Sequence, residues 1–323
     1  MVEQKEKILV TGAGGFIGHH MVRFLKSKGY WVRGVDIKYP EFSSKDEAYE
    51  FLLLDLRNLD NCKKATEGID KAYNLTANVG GIGFVSEFKA EVMRDNALIN
   101  INVLEAARQN EVKRVFFSSA AGIYPAIGQE TTEAIAFKEE DAYPANPGSE
   151  YGWEKLFSER LYQSYQKQFG LGVRIARFHN IFGPEGVYEG PRVKPIEYFC
   201  RKIALANDGD EVEIYGDGTQ TRSFLYVDDC LEASYRLMES DFSSPLNIGS
   251  ERAVSINELV DIISDIAGKK LKKVYIDKPQ GPKGRTSDNS LAREKLNWKP
   301  QVSLEEGLKR TYQWIKEINN KKI

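Results

Sequence analysis

A doubly wound α/β fold, a parallel sheet with helices on both faces, is what this 323-residue sequence predicts. Three observations point to it. Short apolar runs alternate with helical patterns as far as about residue 180, the rhythm of repeated strand–helix–strand units. The first of those runs passes directly through a glycine-rich turn into a helix. Beyond His179 the alternation gives way to loops and shorter elements, which predicts a smaller, mixed α/β C-terminal region.

Taken in order, Lys7-Ile-Leu-Val-Thr11 reads as a buried strand. It enters Gly12-Ala-Gly-Gly15-Phe-Ile-Gly18, and Met21, Val22 and Leu25 follow at helical spacing. Strand, glycine turn and helix in that order form a dinucleotide-binding fingerprint. Gly12 permits the turn, Gly15 lets the backbone approach a pyrophosphate, and Gly18 lets helix and strand pack closely. Phe16 and Ile17 open the helix, whose free N–H groups face the phosphates. A second strand, Trp31–Val35, ends at Asp36, placed to accept hydrogen bonds from a ribose 2′-hydroxyl and to repel a 2′-phosphate. NAD is therefore expected over NADP. Further strands are predicted at Phe51–Leu54, Lys71–Leu75, Arg114–Ser118 and Gly172–Ala176, and long helices at Val92–Gln109 and Tyr151–Phe169.

Past His179, Gly183–Pro191 reads as a loop and Tyr215–Gly218 as a turn. Ser255 with Glu258 and Ser303 with Glu306 are capping boxes that start two helices. We therefore expect a Rossmann-like NAD-binding region over residues 1–180, with some later segments returning to it, and a mainly substrate-binding region over 181–323. Ligands should lie between them, at the carboxyl ends of the strands. The Lys- and Asn-rich tail after Trp314 is expected to fray. Gly80, Gly81 and Gly83, three glycines in four residues, are expected to let the chain approach the cofactor or a substrate.

With 41% apolar and 28% charged residues and a net charge of −2, the composition is that of a soluble globular protein. No basic field points to nucleic acid or an anionic membrane. Cys62, Cys200 and Cys230 show neither metal-ligand nor disulfide spacing; no metal is expected, and buried thiols in a reducing compartment are. No apolar run approaches membrane-spanning length, and the first strand begins too early for a signal peptide. A cytoplasmic location is the expectation.

The chemistry is carried by Tyr151 and Lys155 in Ser149-Glu-Tyr-Gly-Trp-Glu-Lys155. At i and i+4 they share one helix face. An ammonium beside a phenol is expected to lower the phenol's pKa, making the tyrosine a base for a sugar hydroxyl. His179 reads as packed and hydrogen-bonded rather than catalytic, and His19 and His20 as helix-surface or packing residues.

Together the Gly12–Gly18 loop, Asp36, Asp55, Tyr151-x-x-x-Lys155, Arg177-Phe-His-Asn180 and Gly216-Asp-Gly-Thr-Gln-Thr-Arg222 resemble the extended short-chain dehydrogenase/reductases, in the epimerase/dehydratase branch that acts on nucleotide sugars. Val79–Phe84, Arg177–Pro184, Gln220–Phe224 and Gly284–Asn289 resemble most the GDP-mannose 3,5-epimerase subfamily within it. The resemblance implies a GDP-hexose substrate, NAD held also by Asp55 and Leu56, and a homodimer built on the two long helices. It implies that Tyr151 and Lys155 oxidise C4, and that Lys194 exchanges ring protons beside the resulting ketone. Arg222 and Arg285 would grip the diphosphate, with Gly81, Asn180, Lys202 and Gln220 also against the substrate.

Two positions depart from that pattern. The subfamily places a cysteine two residues before the tyrosine of Ile-Tyr-Pro and the wider family a serine or threonine four before it; here these are Gly122 and Ala120. Ser119 is then the nearest hydroxyl. A dehydratase would need an Asp-Glu pair where Ala121 and Gly122 stand. The alternatives left open are a 4-epimerase or C4 dehydrogenase, and a nucleotide-sugar-binding protein that has lost turnover.

Overall fold

The computed structural model describes residues 5–127, 129–278 and 281–322. Five strands come first: β1 Lys7–Thr11, β2 Trp31–Asp36, β3 Glu50–Leu53, β4 Lys71–Asn74 and β5 Arg114–Ala120. Between them run α1 Phe16–Ser27, α2 Leu59–Thr66, α3 Ile82–Glu87 and α4 Lys89–Gln109. Then follow β6 Ala136–Phe137, α5 Glu150–Phe169, β7 Gly172–Phe178, β8 Ile181–Phe182, α6 Pro195–Leu205 and β9 Glu211–Tyr215. The chain continues through β10 Thr221–Ser223, β11 Leu225–Tyr226, α7 Val227–Glu239, β12 Leu246–Ile248, β13 Ala253–Ser255 and α8 Ile256–Ala267. It ends with β14 Lys272–Ile276, β15 Gly284–Ser287, α9 Ser290–Leu296 and α10 Leu304–Lys322.

Seven strands form one parallel sheet in the order β12-β7-β5-β4-β1-β2-β3. Both faces are covered, so the middles of its central strands are largely apolar. Successive side chains alternate between two cores: Ile8, Val10 and Phe116 point into one, and Leu9, Val115 and Phe117 into the other. All six are fully buried, worth about 1.5–3 kcal/mol each. The chain leaves β1 in opposite directions, to β2 on one side and β4 on the other, and a doubly wound sheet takes its ligand at such a switch. A smaller mixed sheet, β13-β10-β15-β6, stands over the carboxyl ends of these strands. The two regions exchange segments: β12 returns to pair with β7, and β6, from the first half, pairs with β15.

The tail departs from expectation. α10 runs to Lys322, with Ile315 fully buried and Ile318 packed against the core. Apolar residues at helical spacing outweigh the lysines and asparagines between them. Both expected caps are present, since Ser255 accepts from the Glu258 amide at 3.0 Å and Ser303 from the Glu306 amide at 3.2 Å.

Candidate active site

Gly12 sits at φ +71°, where a Cβ would stand 2.9 Å from the Leu75 backbone, so only glycine brings the turns after β1 and β4 together. At Gly18 a Cβ would meet the Gly12 carbonyl oxygen at 1.9 Å; this glycine lets α1 pack against the turn. Gly15 caps α1 with no side-chain acceptor, and no acid stands in the first turn begun by Phe16 and Ile17. The amides there are left for an anion. Asp36 ends β2 and accepts from the amides of Gly14, Ile37 and Lys38 at 3.0, 2.7 and 3.3 Å. Burial pushes its carboxyl up, against those amides. Asp55 lies beyond β3 with Arg57 folded onto it at 2.7 Å, and that hydrogen bond holds its carboxyl low. Leu56 turns its side chain into the core. An uncapped helix start, a side-chain-free turn and an acid at the end of β2 fit a dinucleotide.

Tyr151 and Lys155 lie on the first turns of α5, which Ser149 caps by accepting from the Gly152 amide at 3.2 Å. Buried polar groups orient that helix: Asn100 of α4 donates to Glu154 at 2.7 Å and to Ser158 at 3.2 Å. Asn74 at the end of β4 donates to Asn100 and to the Tyr162 hydroxyl, both at 2.9 Å. Lys155 Nζ donates to the Ser118 carbonyl at 2.9 Å and stands 5.7 Å from the Tyr151 ring centroid. The expected lowering of the phenol pKa is therefore not found. Burial and the Glu154 charge push Tyr151 up, and burial pushes Lys155 down against the charges of Glu154 and Glu159. The ammonium is aimed at a carbonyl rather than at the phenol.

Both residues line a cavity of about 1100 Å³, above the ~300–1,000 Å³ of an ordinary small-molecule pocket. Ile17, Gly81, Ser119, Ala120, Gly122, Asn180, Lys194, Gln220, Arg222 and Arg285 share its walls. Arg222 and Arg285 are register partners on β10 and β15. Arg222 donates to the carbonyls of Thr221, at 2.6 Å, and Pro282; Arg285 donates to the Ala121 carbonyl at 2.9 Å, and its Nε has no partner among the described residues. Burial and the Arg285 charge push Arg222 down to about 9, and burial pushes Arg285 down to about 10. Two enclosed guanidiniums side by side make a site for an anionic group.

Other expected residues are differently placed. Ser119 lines the cavity, but its hydroxyl donates to Glu159 at 2.5 Å, and Glu159 pairs with Arg177 at 2.8 Å; serving at position 120 would break that contact. Asn180 reaches the cavity while its amide donates to the Ser223 carbonyl at 2.8 Å. Gln220 donates to the Tyr215 carbonyl at 3.0 Å, leaving its Oε1 unpartnered among the described residues. Lys202, in the last turn of α6, is exposed and outside the cavity, whereas its neighbour Arg201 lines it; the helix turns about 100° per residue, so adjacent side chains diverge. At Gly81 a Cβ would stand 2.5 Å from the Val193 carbonyl oxygen. Its nearest neighbour is the loop carrying Lys194.

Glu197 also lines the cavity. Its signal in the sequence is an acid aligned with Cys200 and Ile203 on the apolar stripe of a helix. His179 is buried and bonds Asn247 at 3.0 Å, as expected. His19, His20 and Glu185 approach within 4.8 Å of one another, but Arg23 bonds Glu185 at 2.6 Å and His20 at 2.9 Å. A guanidinium takes the place a metal cation would need.

A model of the NAD dependent epimerase/dehydratase family matches residues 8–249. The chain is 47% identical over 315 residues to GDP-mannose 3,5-epimerase 1 of Oryza sativa subsp. japonica, covering 97% of this chain and 82% of that protein. Its fold is similar to that of UDP-glucose 4-epimerase from Thermotoga maritima with UDP-glucose, at TM-score 0.86 and 28% identity over 97% of this chain and 99% of that one. UDP-glucuronic acid 4-epimerase from Bacillus cereus, in complex with UDP-glucuronic acid and NAD, gives TM-score 0.83 and 29% identity over the same shares. Glycine loop, Tyr151–Lys155 couple and family match agree: the chain belongs to the NAD-dependent epimerase/dehydratase family of nucleotide-sugar enzymes.

Proposed function

We propose that this protein epimerises a GDP-hexose at the carbons flanking a transient C4 ketone. The observation that carries the reading is one cavity holding both the Tyr151–Lys155 couple and the Arg222–Arg285 pair, which makes no ion pair among the described residues. The likeness to the rice GDP-mannose 3,5-epimerase supports the guanosine nucleotide and the carbons.

NAD, when bound, supplies the acceptor and donor of hydride at C4. Gly12, Gly15, Phe16, Ile17 and Gly18 would hold its diphosphate, and Asp36, Asp55 and Leu56 its adenosine end. Tyr151, once its raised phenol has ionised on ligand binding, would take the C4 hydroxyl proton as the phenolate and later return it. Lys155, fixed on the Ser118 carbonyl, positions that end of the cavity. A ketone at C4 acidifies C3–H and C5–H because the carbanion left behind is an enolate. Lys194 removes a proton there, while Arg222 and Arg285 clamp the diphosphate through their forked donors. Gln220 and Asn180 line the path between them. Gly122 brings no group to the opposite ring face, so a water supplies the proton there.

That same absence favours a second reading, 4-epimerisation or C4 oxidation, which needs no group at position 122; loss of turnover is the third. Proton NMR of GDP-mannose with enzyme and NAD in deuterated water separates them. Deuterium at C3 or C5 with new isomers is the expected result. Unchanged C3 and C5 signals beside an inverted or oxidised C4 would replace this reading with the second, and no change at all would favour the third.

The three free, buried cysteines support a reducing compartment, in keeping with a cytoplasmic enzyme, and no helix among the described residues is long and apolar enough to cross a membrane. A homodimer through α4 and α5 is supported by Met93, Leu98 and Ile101 on one helix and Trp153 and Phe157 on the other, each more than a third exposed. Sedimentation should give twice the 36.6 kDa chain mass, and Phe157→Glu should return the monomer.

A further inference from the structure

We infer that Glu197 is the proton-exchange partner of Lys194, a buried carboxyl that accepts the proton Lys194 has removed and so restores the lysine to its amine form. The inference rests on the proposed 3,5-epimerase chemistry. Lys194 is the N-cap of α6 and Glu197 stands three residues on, so the two side chains share the first turn. Glu197 is 3% exposed, and what remains faces the cavity that Lys194 lines. The neighbouring loop makes room for it, because a Cβ on Gly186 would lie 3.2 Å from its Oε1. Its Oε2 is buried with no hydrogen-bond partner among the described residues.

A buried acid on the apolar stripe of a helix, with one oxygen unpartnered, is costly unless it is protonated or in exchange with a neighbour. Burial raises its titration most, and Lys194, its own backbone amide and the Gly183 amide favour the carboxylate against that burial. On the enclosed side lie Cys200 of α6 and Cys230 of α7, both pushed up and neutral. The balance leaves the carboxyl raised to about 7, where it can hold or release a proton near neutrality.

The step moves one proton and no electrons. Lys194 Nζ as the amine takes the ring C–H proton, leaving the enolate. The resulting ammonium passes a proton to the Glu197 carboxylate, giving a carboxylic acid and restoring the amine. A water on the face that Gly122 leaves open protonates the enolate carbon, inverting the centre, and the hydroxide so formed is neutralised by the proton that the Glu197 carboxyl releases. With no side chain at Gly122, resetting the amine in this way lets one lysine act as base at both ring carbons.

The test is the rate of deuterium entry at C3 and C5 of GDP-mannose as a function of pH, with NAD-loaded wild type, Glu197→Gln and Glu197→Asp. In the wild type the rate should rise through an ionisation near the about 7 of Glu197. Glu197→Gln should lose that limb and about tenfold or more in kcat, with KM unchanged; Glu197→Asp, which keeps a carboxyl, should retain the limb. A wild-type profile flat across that range, or a Glu197→Gln profile matching the wild type, would overturn the inference, the former without needing any variant to fold. Wild-type turnover without C3 or C5 exchange would sink the epimerase reading itself, and this role with it.

Discussion

Gly122 has room for a side chain. A Cβ there would meet Tyr151 ring atoms at 3.6 and 3.9 Å and Gly152 Cα at 3.8 Å, all ordinary contacts. Gly122→Cys combined with Ala120→Ser should therefore fold like the parent and set a thiol beside the Tyr151 ring. Deuterium entry at C3 and C5 should rise by about 10²-fold or more, the usual worth of a general acid or base; no gain would mean that the native chemistry does without those groups. The arginine pair allows a test by binding. Two neighbouring guanidiniums with no counter-charge among the described residues are suited to an anion, so Arg222→Met should weaken GDP affinity about tenfold to a hundredfold, as losing a charged hydrogen bond of ~1.5–3 kcal/mol implies. Calorimetry with GDP reads this directly, and equal affinities would move the diphosphate elsewhere in the cavity.

At the scale of elements, the site depends on where loops touch. Gly80 and Gly81 lie against Arg192 and Val193, and Arg192 also donates to the Val79 carbonyl at 2.9 Å and to Asn78 at 2.9 Å. This junction seats the loop that presents Lys194 at the start of α6. In Gly81→Ala the added methyl would fall 2.5 Å from the Val193 oxygen, so the loop must shift. We expect kcat to fall severalfold or more, since displacements of about 1 Å can cost up to 10²-fold. NAD affinity should hold, because the glycine turn after β1 is untouched. Steady-state kinetics beside NAD titration checks both; a loss of NAD affinity would mean that the 80–83 segment serves the cofactor.

For the whole molecule, a buried and a half-buried carboxyl with opposite shifts shape stability against pH. Burial lifts Glu197 from 4.5 to about 7, against the Lys194 charge. A raised carboxyl binds its proton more tightly in the folded chain, so its contribution is complete below about 4.5 and lost as pH rises through about 7. Burial alone would lift Glu185 as well, but hydrogen bonds from His19 and Arg23, with the Arg23 charge, hold it down to about 2. Its contribution is present above about 4.5 and lost as pH falls toward about 2. Thermal denaturation across pH should show both limbs. Glu197→Gln should flatten the neutral one and Glu185→Gln the acid one, and an unchanged neutral limb in Glu197→Gln would mean that this carboxyl is already ionised when folded.

Read alone, the residues determined the alternating fold, the glycine loop, the acid after β2 and the Tyr151–Lys155 couple, because each is a short-range pattern: a period, a turn or a helix-face spacing. The family likeness added Lys194, Arg222 and Arg285. The tertiary structure alone decided what lies beside those residues. It set Lys155 on a carbonyl instead of the phenol, tied Ser119 to Glu159, turned Lys202 out of the cavity, and gave Gly81 to the Lys194 loop. It also kept the lysine-rich tail helical and enclosed Glu197 with an unpartnered oxygen. The helical tail and the outward turn of Lys202 follow from local helix spacing; the others depend on segments from distant parts of the chain, whose packing sets the burial and field around a side chain, and local sequence carries no record of it.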